Sequence, residues 1–468
     1  MLFDTPIYVV FLVVVVLGYW SLGFRAQNRF LLVASYLFYG WWDWRFLCLM
    51  IGSTILDYFI ARKIEDAQDP RVRRSLLVLS LVINFTILGL FKYFNFFVGS
   101  VAHGFSTLGI QVSMPFLKII LPPGISFYTF QEVAYILDVY SGKLPAARSF
   151  LDYGLFISLF PHLIAGPIQR PSHLLPQVQR PRQWDSDKAF DGLLLILEGL
   201  FRKVVVADNC ALIANAAFNG AFGRPSLPVV LLGTYAFAWQ IYGDFSGYSN
   251  IARGSAQLLG FHFMVNFRQP YLAEGIQDFW RRWHISLSTW LRDYLYIPLG
   301  GNRHGERQTY RNLMLTMLLG GLWHGANWTF VVWGGLQGAG LSGERKFLNH
   351  ERTARSGIVW KWVRRIVIFH FVCLSWIFFR AQSLRAAVLM LQGVTAWSWR
   401  PEFPTAFLFL AIFSVPLLLL DLQLESTSGE YAFASAPVQP RVAYGLACAL
   451  LIALLGANQA NAFIYFQF

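Results

Sequence analysis

Leu76-Leu-Val-Leu-Ser-Leu-Val-Ile-Asn-Phe-Thr-Ile-Leu-Gly-Leu-Phe-Lys-Tyr-Phe-Asn-Phe-Phe-Val98 carries a single charged side chain, Lys92. A helix needs about 20 mainly apolar residues to cross the hydrocarbon core of a bilayer, so this stretch reads as a membrane span. Further runs of comparable character recur at 7–24, 190–212, 227–243, 358–379, 405–421 and 442–457. Shorter or interrupted apolar segments lie at 30–60, 116–140, 153–168 and 310–341. The expectation is an all-α, polytopic integral membrane protein with roughly 10–12 membrane-entering helices, some broken or re-entrant.

Composition agrees: 56% of the 468 residues are hydrophobic and only 13% are charged, with a mean hydropathy of +0.47. The net charge of +13 does not indicate nucleic acid, because Lys and Arg are grouped in short loops between apolar runs, as orientation signals are. Basic loops at Arg25 to Arg29 and Arg62 to Arg74 alternate with weakly charged ones, which places the N-terminus outside and the basic loops in the cytoplasm. The first apolar run has no basic n-region and no small-residue cleavage site, and reads as a retained helix. Cys48, Cys210, Cys373 and Cys448 are widely spaced, without CxxC pairs, and are expected to be small core residues. No metal-ligand spacing is present and no bound cofactor is expected. The polar segment 422–440 reads as a surface loop between the last two helices.

Four segments combine lipid-depth composition with Pro, Gly and hydrogen-bonding side chains, a mixture tolerated only where backbone is buried in protein or faces water. In Leu121-Pro-Pro-Gly-Ile-Ser-Phe-Tyr-Thr-Phe-Gln-Glu132, Pro122, Pro123 and Gly124 interrupt a helix, and Tyr128 and Gln131 follow on one face as cavity-lining candidates; internally satisfied polar groups in a kinked helix are the alternative. Phe160-Pro-His-Leu-Ile-Ala-Gly-Pro-Ile-Gln-Arg170 cannot be a regular spanning helix and suggests a re-entrant turn, with His162 either a proton carrier or a satisfied structural histidine. Asp244, within 239–250, either orients a histidine or anchors a loop through backbone N–H groups.

The densest block runs from Asp278 to Arg303. Trp280, Trp283, Leu287, Trp290, Leu291 and Tyr294 fall on one helical face, so the segment reads as an amphipathic interfacial helix. Arg281, Arg282, Arg292, Arg303 and Arg307 form a basic cluster suited to an anionic, phosphate-bearing donor arriving from the cytoplasm. Downstream, the Trp-rich stretch 320–335 carries His324. A titratable imidazole in such surroundings is a functional-site hypothesis, since its desolvation must be offset by partners or water; a buried histidine held by a carbonyl is the plain alternative. Asn327 lies three residues on, near enough on a helix to bond the imidazole or a developing oxyanion, and Trp323 and Trp328 would exclude water.

The blocks Pro-Pro-Gly-Ile-Ser-Phe-Tyr-Thr-Phe-Gln, His-Leu-Ile-Ala-Gly-Pro-Ile-Gln-Arg, Asp278 to Arg303, and Gly-Leu-Trp-His-Gly-Ala-Asn-Trp resemble the membrane-bound O-acyltransferase family and, within it, the bacterial alginate-acetylating branch. The match runs in order from about residue 30 to about 380, with the helices of 400–468 compatible, and implies one membrane-embedded domain over 1–468, a multi-helix bundle around a central tunnel. It puts the family's invariant histidine on His324 and its second polar position on His284. It further implies transfer of an acetyl group from a thioester, acetyl-CoA as the cytoplasmic donor, to hydroxyls of a secreted polysaccharide such as alginate or to periplasmic acetyl-carrying partner proteins, from a bacterial inner (cytoplasmic) membrane. Related acceptors, namely cellulose, peptidoglycan and teichoic acid, stay open. So does a transporter for polysaccharide or lipid-linked sugar, although no paired repeat is visible, and a structural scaffold, which gives no reason for His and Arg at this depth.

Overall fold

The computed structural model describes all residues except 113–114, 118–119, 165, 348–356, 428, 435, 458–462 and 465–468. The chain packs as two compact units, residues 1–192 with 255–263, and residues 193–254 with 264–468. Both are helical, and no β-strand occurs among the described residues. Among the described residues, five helices are long and apolar enough to cross a membrane: Trp44–Asp66, Pro70–Thr107, Ile358–Arg380, Phe403–Thr427 and Val438–Leu455. The protein is a polytopic membrane protein.

The first unit begins with α1 (Pro6–Trp20), α2 (Phe24–Gly40), α3 (Trp44–Asp66), α4 (Pro70–Leu88) and α5 (Phe94–Thr107). A π-helical turn at Gly89–Tyr93 joins the last two. Asp43 and Asp69 cap α3 and α4 by accepting the N–H groups of Arg45 and Arg71, which satisfies orphan donors of the first turn. Pro122, Pro123 and Gly124 precede α6 (Ile125–Tyr140) and start it rather than kink it. Gly124 sits at φ +72°, and a Cβ there would lie 2.5 Å from the Leu163 carbonyl oxygen, so only glycine permits both the turn and the contact. Buried polar groups tie these helices together. Asp57 accepts from Ser80 at 2.6 Å and Asn84 at 2.8 Å, and Glu132 accepts from Ser53 and Thr54, as hydrogen bonds between helices do where lipid offers no alternative partner.

The sequence after α6 breaks as its prolines dictate. Helix α7 (Phe150–Ser158) is followed by the single turn α8 (Phe160–Leu163) and by α9 (Pro171–Val178). The nine residues of α7 rise about 13 Å, less than half the hydrocarbon thickness.

Helix α10 (Ser186–Leu200) leads through a π-helical turn, Phe201–Ala207, into α11 (Asp208–Phe218) and the 32-residue α12 (Leu227–Leu258). Then come α13 (Ile276–Arg282), α14 (Ile285–Leu291), α15 (Glu306–His324), α16 (Trp328–Phe347), α17 (Ile358–Arg380), α18 (Leu384–Gln392), α19 (Phe403–Thr427) and α20 (Val438–Leu455). The second unit buries paired charges. Arg202 meets Glu198 at 2.8 Å with Asp421 nearby, and Lys203 lies between Asp208 and Asp244 at 2.8 and 2.9 Å. Such pairs add little net stability against apolar replacements, but losing one partner strands the other.

Three expectations change here. The block from Asp278 to Tyr294 is not one amphipathic surface helix. It is broken at Trp283 and His284 into two short helices, and Trp283, Leu287 and Trp290 are buried. Cys210, Cys373 and Cys448 are buried, but Cys48 is exposed. Segment 422–440 is only partly a surface loop: α19 runs on to Thr427, Glu425 pairs with Arg282, Glu430 pairs with the buried Arg253, and Ala432 is buried.

Candidate active site

The site lies in the second unit, where the break between α13 and α14 meets the C-terminal end of α15. His284 occupies the left-handed region at φ +43°, a conformation a non-glycine side chain keeps only when its surroundings impose it. Asn266 imposes it. Its backbone carbonyl accepts from Ile285 N–H at 2.9 Å, and its Oδ1 accepts from Ser286 N–H at 3.1 Å and Ser286 Oγ at 2.9 Å. The same Oδ1 lies 3.3 Å from His284 Nδ1. That pattern assigns the proton to Nδ1 and leaves Nε2 as the acceptor. Asn266 is itself held by a bond from its amide to Ser249 Oγ at 3.1 Å. Complete burial pushes the His284 imidazole down to about 3, so it is neutral at physiological pH.

His324 is the last residue of α15, after which Gly325 is extended. A Cβ on Gly325 would fall 2.1 Å from the Phe330 ring, so this glycine lets the chain turn tightly under that ring. The His324 ring is boxed edge-to-face by Trp323 and Trp333, both at 5.1 Å between centroids, and by Phe379 at 5.3 Å. The two imidazole centroids are 6.4 Å apart. Phe245 closes the other side of His284 at 4.5 Å. The pocket thus brings two titratable rings together inside an aromatic wall.

Helices α15 and α16 meet through glycine. A Cβ at Gly334 would be 2.3 Å from the Met317 carbonyl oxygen, and one at Gly321 would be 2.3 Å from that of Phe330. Small residues allow this close backbone approach between membrane helices. Gln337, one turn past Trp333 on α16, accepts from Trp280 Nε1 at 3.2 Å and donates to Ser375 Oγ at 2.9 Å. Trp280 packs on Trp333 at 5.8 Å, so Gln337 fixes the wall behind His324.

A cavity of about 570 Å³ opens beside this wall, with Trp280, Ile285, Leu291 and Met317 among its lining and Arg281, Arg292 and Arg345 at its polar part. Glu344, also in the lining, accepts the N–H groups of Ile276 and Gln277. It therefore caps the helix that carries Arg281.

Other expected site residues are used differently. Arg282 does not line the cavity; it pairs with Asp278 and Glu425 at 2.8 and 2.6 Å. Arg303 and Arg307 are exposed and also lie outside the lining. Asn327 stands beyond the helix end, where its Oδ1 caps α16 through Thr329 N–H at 3.0 Å and its amide donates to the Gln382 carbonyl at 3.3 Å. It does not share a helical face with His324. Trp328 is half exposed. Asp244 pairs with Lys203 and accepts from Ile464 N–H at 2.7 Å, the anchoring alternative. Tyr128 and Gln131 belong to the first unit, as does His162. Both His162 ring nitrogens are engaged, Nε2 with the Phe156 carbonyl at 3.1 Å and Nδ1 with Gln131 at 3.2 Å, as in a satisfied structural histidine. Asn266, Trp333, Gln337, Glu344, Arg345 and Phe379 were not expected. Of these, Trp333 and Gln337 follow His324 on one short stretch, and their spacing of four residues was the available signal.

A polytopic helical protein with two buried histidines and an arginine-rimmed cavity in one unit defines a class, the membrane proteins with an enclosed polar site. Residues 144–380 match the model of the membrane-bound O-acyltransferase family, and the chain belongs to that family. It is 44% identical over 405 residues to the Pseudomonas aeruginosa protein named "Probable alginate O-acetylase AlgI", spanning 86% of this chain and 76% of that one. It is 38% identical to the Azotobacter vinelandii protein of the same name over the full length of both. A Helicobacter pylori peptidoglycan O-acetyltransferase is 39% identical, over 84% of this chain and 80% of that one. The protein is an O-acyltransferase.

Proposed function

We propose that this enzyme moves acetyl from acetyl-CoA, bound at the cytoplasmic side of a bacterial inner membrane, to hydroxyls of a secreted glycan such as alginate, directly or through a periplasmic acetyl-carrying partner. The observation that carries the reading is the cavity on the other side of the Trp280–Trp333 wall from His324, apolar where it meets Trp280 and Met317 and cationic where Arg281, Arg292 and Arg345 stand. A phosphate-bearing donor suits that polarity, with its anionic end on the arginines and its thioester toward His324. Lys346 follows Arg345 in the last turn of α16, and Arg364 and Arg365 reach Glu274, two residues before α13; this concentration of basic residues supports a cytoplasmic orientation by the positive-inside rule.

In this mechanism His324 takes the proton of the acceptor hydroxyl as its oxygen attacks the thioester carbonyl carbon. The tetrahedral oxyanion collapses, the carbon–sulfur bond breaks, and the thiolate leaves with the proton returned by the imidazolium. The products are an acetyl ester and free coenzyme A thiol. Neutral His284 orients the reacting groups through Nε2, and the aromatic wall excludes the water that would hydrolyse the thioester. Peptidoglycan as the acceptor is the second reading, supported by the 39% identical Helicobacter pylori relative.

The test is thiol release from acetyl-CoA by purified protein in nanodiscs with a glycan acceptor. We expect His324→Ala to lower turnover by about 10²- to 10⁴-fold, the usual contribution of a positioned base, with an unchanged size-exclusion profile. Arg281→Glu should raise KM for acetyl-CoA about tenfold, more strongly at low salt. Equal thiol release by wild type and well-folded His324→Ala overturns the base assignment.

A further inference from the structure

The segment between α18 and α19 has no role in the chemistry above, yet it is built. Ala396 is extended, and residues 396–400 form neither helix nor turn. Two bonds pin the segment to the start of α12: Leu227 N–H to the Ala396 carbonyl at 2.8 Å and Ser226 Oγ to the Ser398 carbonyl at 3.4 Å. In extended backbone, alternate side chains share a face, so Trp397 and Trp399 stand together. Their rings are parallel to within 13° at 6.1 Å between centroids, and they are 70% and 54% exposed. Phe403 packs against Trp399 edge-on at 5.7 Å and 85°. Arg400 follows, half-buried and ion-paired with Glu402 at 3.2 Å.

The position of this pair within the second unit follows from α17 and α19. At one end of α17, Arg365 reaches Glu425 on the last turns of α19. At the other end, Phe379 packs on His324 and the Gln382 carbonyl accepts from Asn327. The 14 residues from Arg365 to Phe379 rise about 21 Å. Since α19 starts at Phe403, directly after the tryptophans, their segment lies at the His324 end, away from the arginine-rimmed end. Its irregular backbone and its Ser398, Arg400 and Glu402 side chains exclude it from the hydrocarbon core.

We propose that Trp397 and Trp399 form a docking platform for the glycan acceptor, with Arg400 meeting a carboxylate or hydroxyl of the sugar. The proposal rests on the glycan reading of the acceptor. The axial C–H groups of a pyranose ring carry slight positive charge and lie flat on the negative face of an indole. Each indole offers an exposed face to one sugar of a chain, and an acidic sugar competes with Glu402 for Arg400.

Two measurements test this on the full-length protein in nanodiscs: oligosaccharide binding by saturation-transfer NMR without donor, using uronic-acid and neutral oligomers, and acceptor KM and kcat with acetyl-CoA. Trp397→Ala and Trp399→Ala should each weaken glycan binding about five- to tenfold, the scale of one aromatic contact, and raise acceptor KM with kcat and donor KM unchanged. Trp397→Tyr should restore most of the loss, and Ser398→Ala, facing the other way, should change nothing. If the double alanine variant keeps wild-type KM for a glycan the enzyme does acetylate, the platform is overturned and the acceptor reading stands. If the wild type neither binds nor acetylates any glycan, the platform is overturned and, of the proposed function, only the route through a carrying partner stands. Equal quenching of these two indoles by lipids brominated in their acyl chains identifies bilayer anchors and also overturns the platform.

Discussion

Gly334→Ala tests how the aromatic pocket around His324 is held. The new Cβ would lie 2.3 Å from the Met317 carbonyl oxygen and 3.0 Å from its carbon, whereas ordinary contact begins at 3.4 Å. Both obstructing atoms are backbone, so no side chain can swing away. Restoring contact requires α15 and α16 to part by about 1.1 Å, the difference between 3.4 and 2.3 Å. Overpacking of this kind costs about 1–3 kcal/mol. The displacement falls on the residue next to Trp333, whose ring holds His324 at 5.1 Å, and a misplacement of about 1 Å in a catalytic group can lower turnover about 10²-fold. Gly335→Ala is the control, because its Cβ would meet only the end of the Leu318 side chain at 3.6 Å. The assay is acetyl-CoA turnover per folded protein together with the melting temperature in detergent. We expect Gly334→Ala to lose both and Gly335→Ala to match wild type. A Gly334→Ala protein with wild-type turnover and melting would refute the claim that glycine contact sets the α15–α16 spacing.

Two further predictions concern His284. Asn266→Ala removes the acceptor of the Ser286 N–H and hydroxyl and of His284 Nδ1; stranding buried donors costs about 1–3 kcal/mol each, so a lower melting temperature and at least a tenfold fall in turnover are expected. Asn266→Asp keeps the acceptor and adds charge beside the imidazole, so it should fold and move the acid limb of the kcat profile to higher pH; an unmoved limb means His284 is not what that limb reports. The pH dependence of stability follows from burial. The folded His284 value of about 3 lies below its ordinary 6.5, so the unfolded chain binds the extra proton between these values. The contribution is complete above about pH 6.5 and shrinks as pH falls, by on the order of 1 kcal/mol at pH 5.5. A series of melts from pH 7.5 to 5 should show the decline in wild type and a smaller one in His284→Asn; parallel curves would remove His284 as its source.

Individual residues show how far reading along the chain can reach. Apolar runs identify the spans because lipid leaves backbone polar groups no partner but their own helix, and His324 stands out because its charge is costly in such surroundings. Asn266 shows no role along the chain, since nothing local says that its carboxamide would meet a histidine 18 residues on. Arg281 and Arg282 are neighbours of identical type, yet one lines the cavity and the other pairs with Glu425, far away in sequence. Asn327 lies three residues from His324, but the helix ends between them, because Gly325 leaves helical geometry beneath Phe330.

The amino-acid order by itself therefore determined the helical class and the membrane environment, since these depend on composition and on helical rise, and it singled out His324 as a candidate by its apolar surroundings, with His284 added by the resemblance of contiguous motifs. Tertiary structure alone decided which arginines face the cavity, that His284 is held strained and neutral by Asn266, that Trp280, Trp333 and Phe379 wall the pocket, and that the tryptophan pair lies at the His324 end. Those features depend on contacts between segments distant in sequence, and their energies come from burial and from hydrogen bonds that exist only after the helices pack.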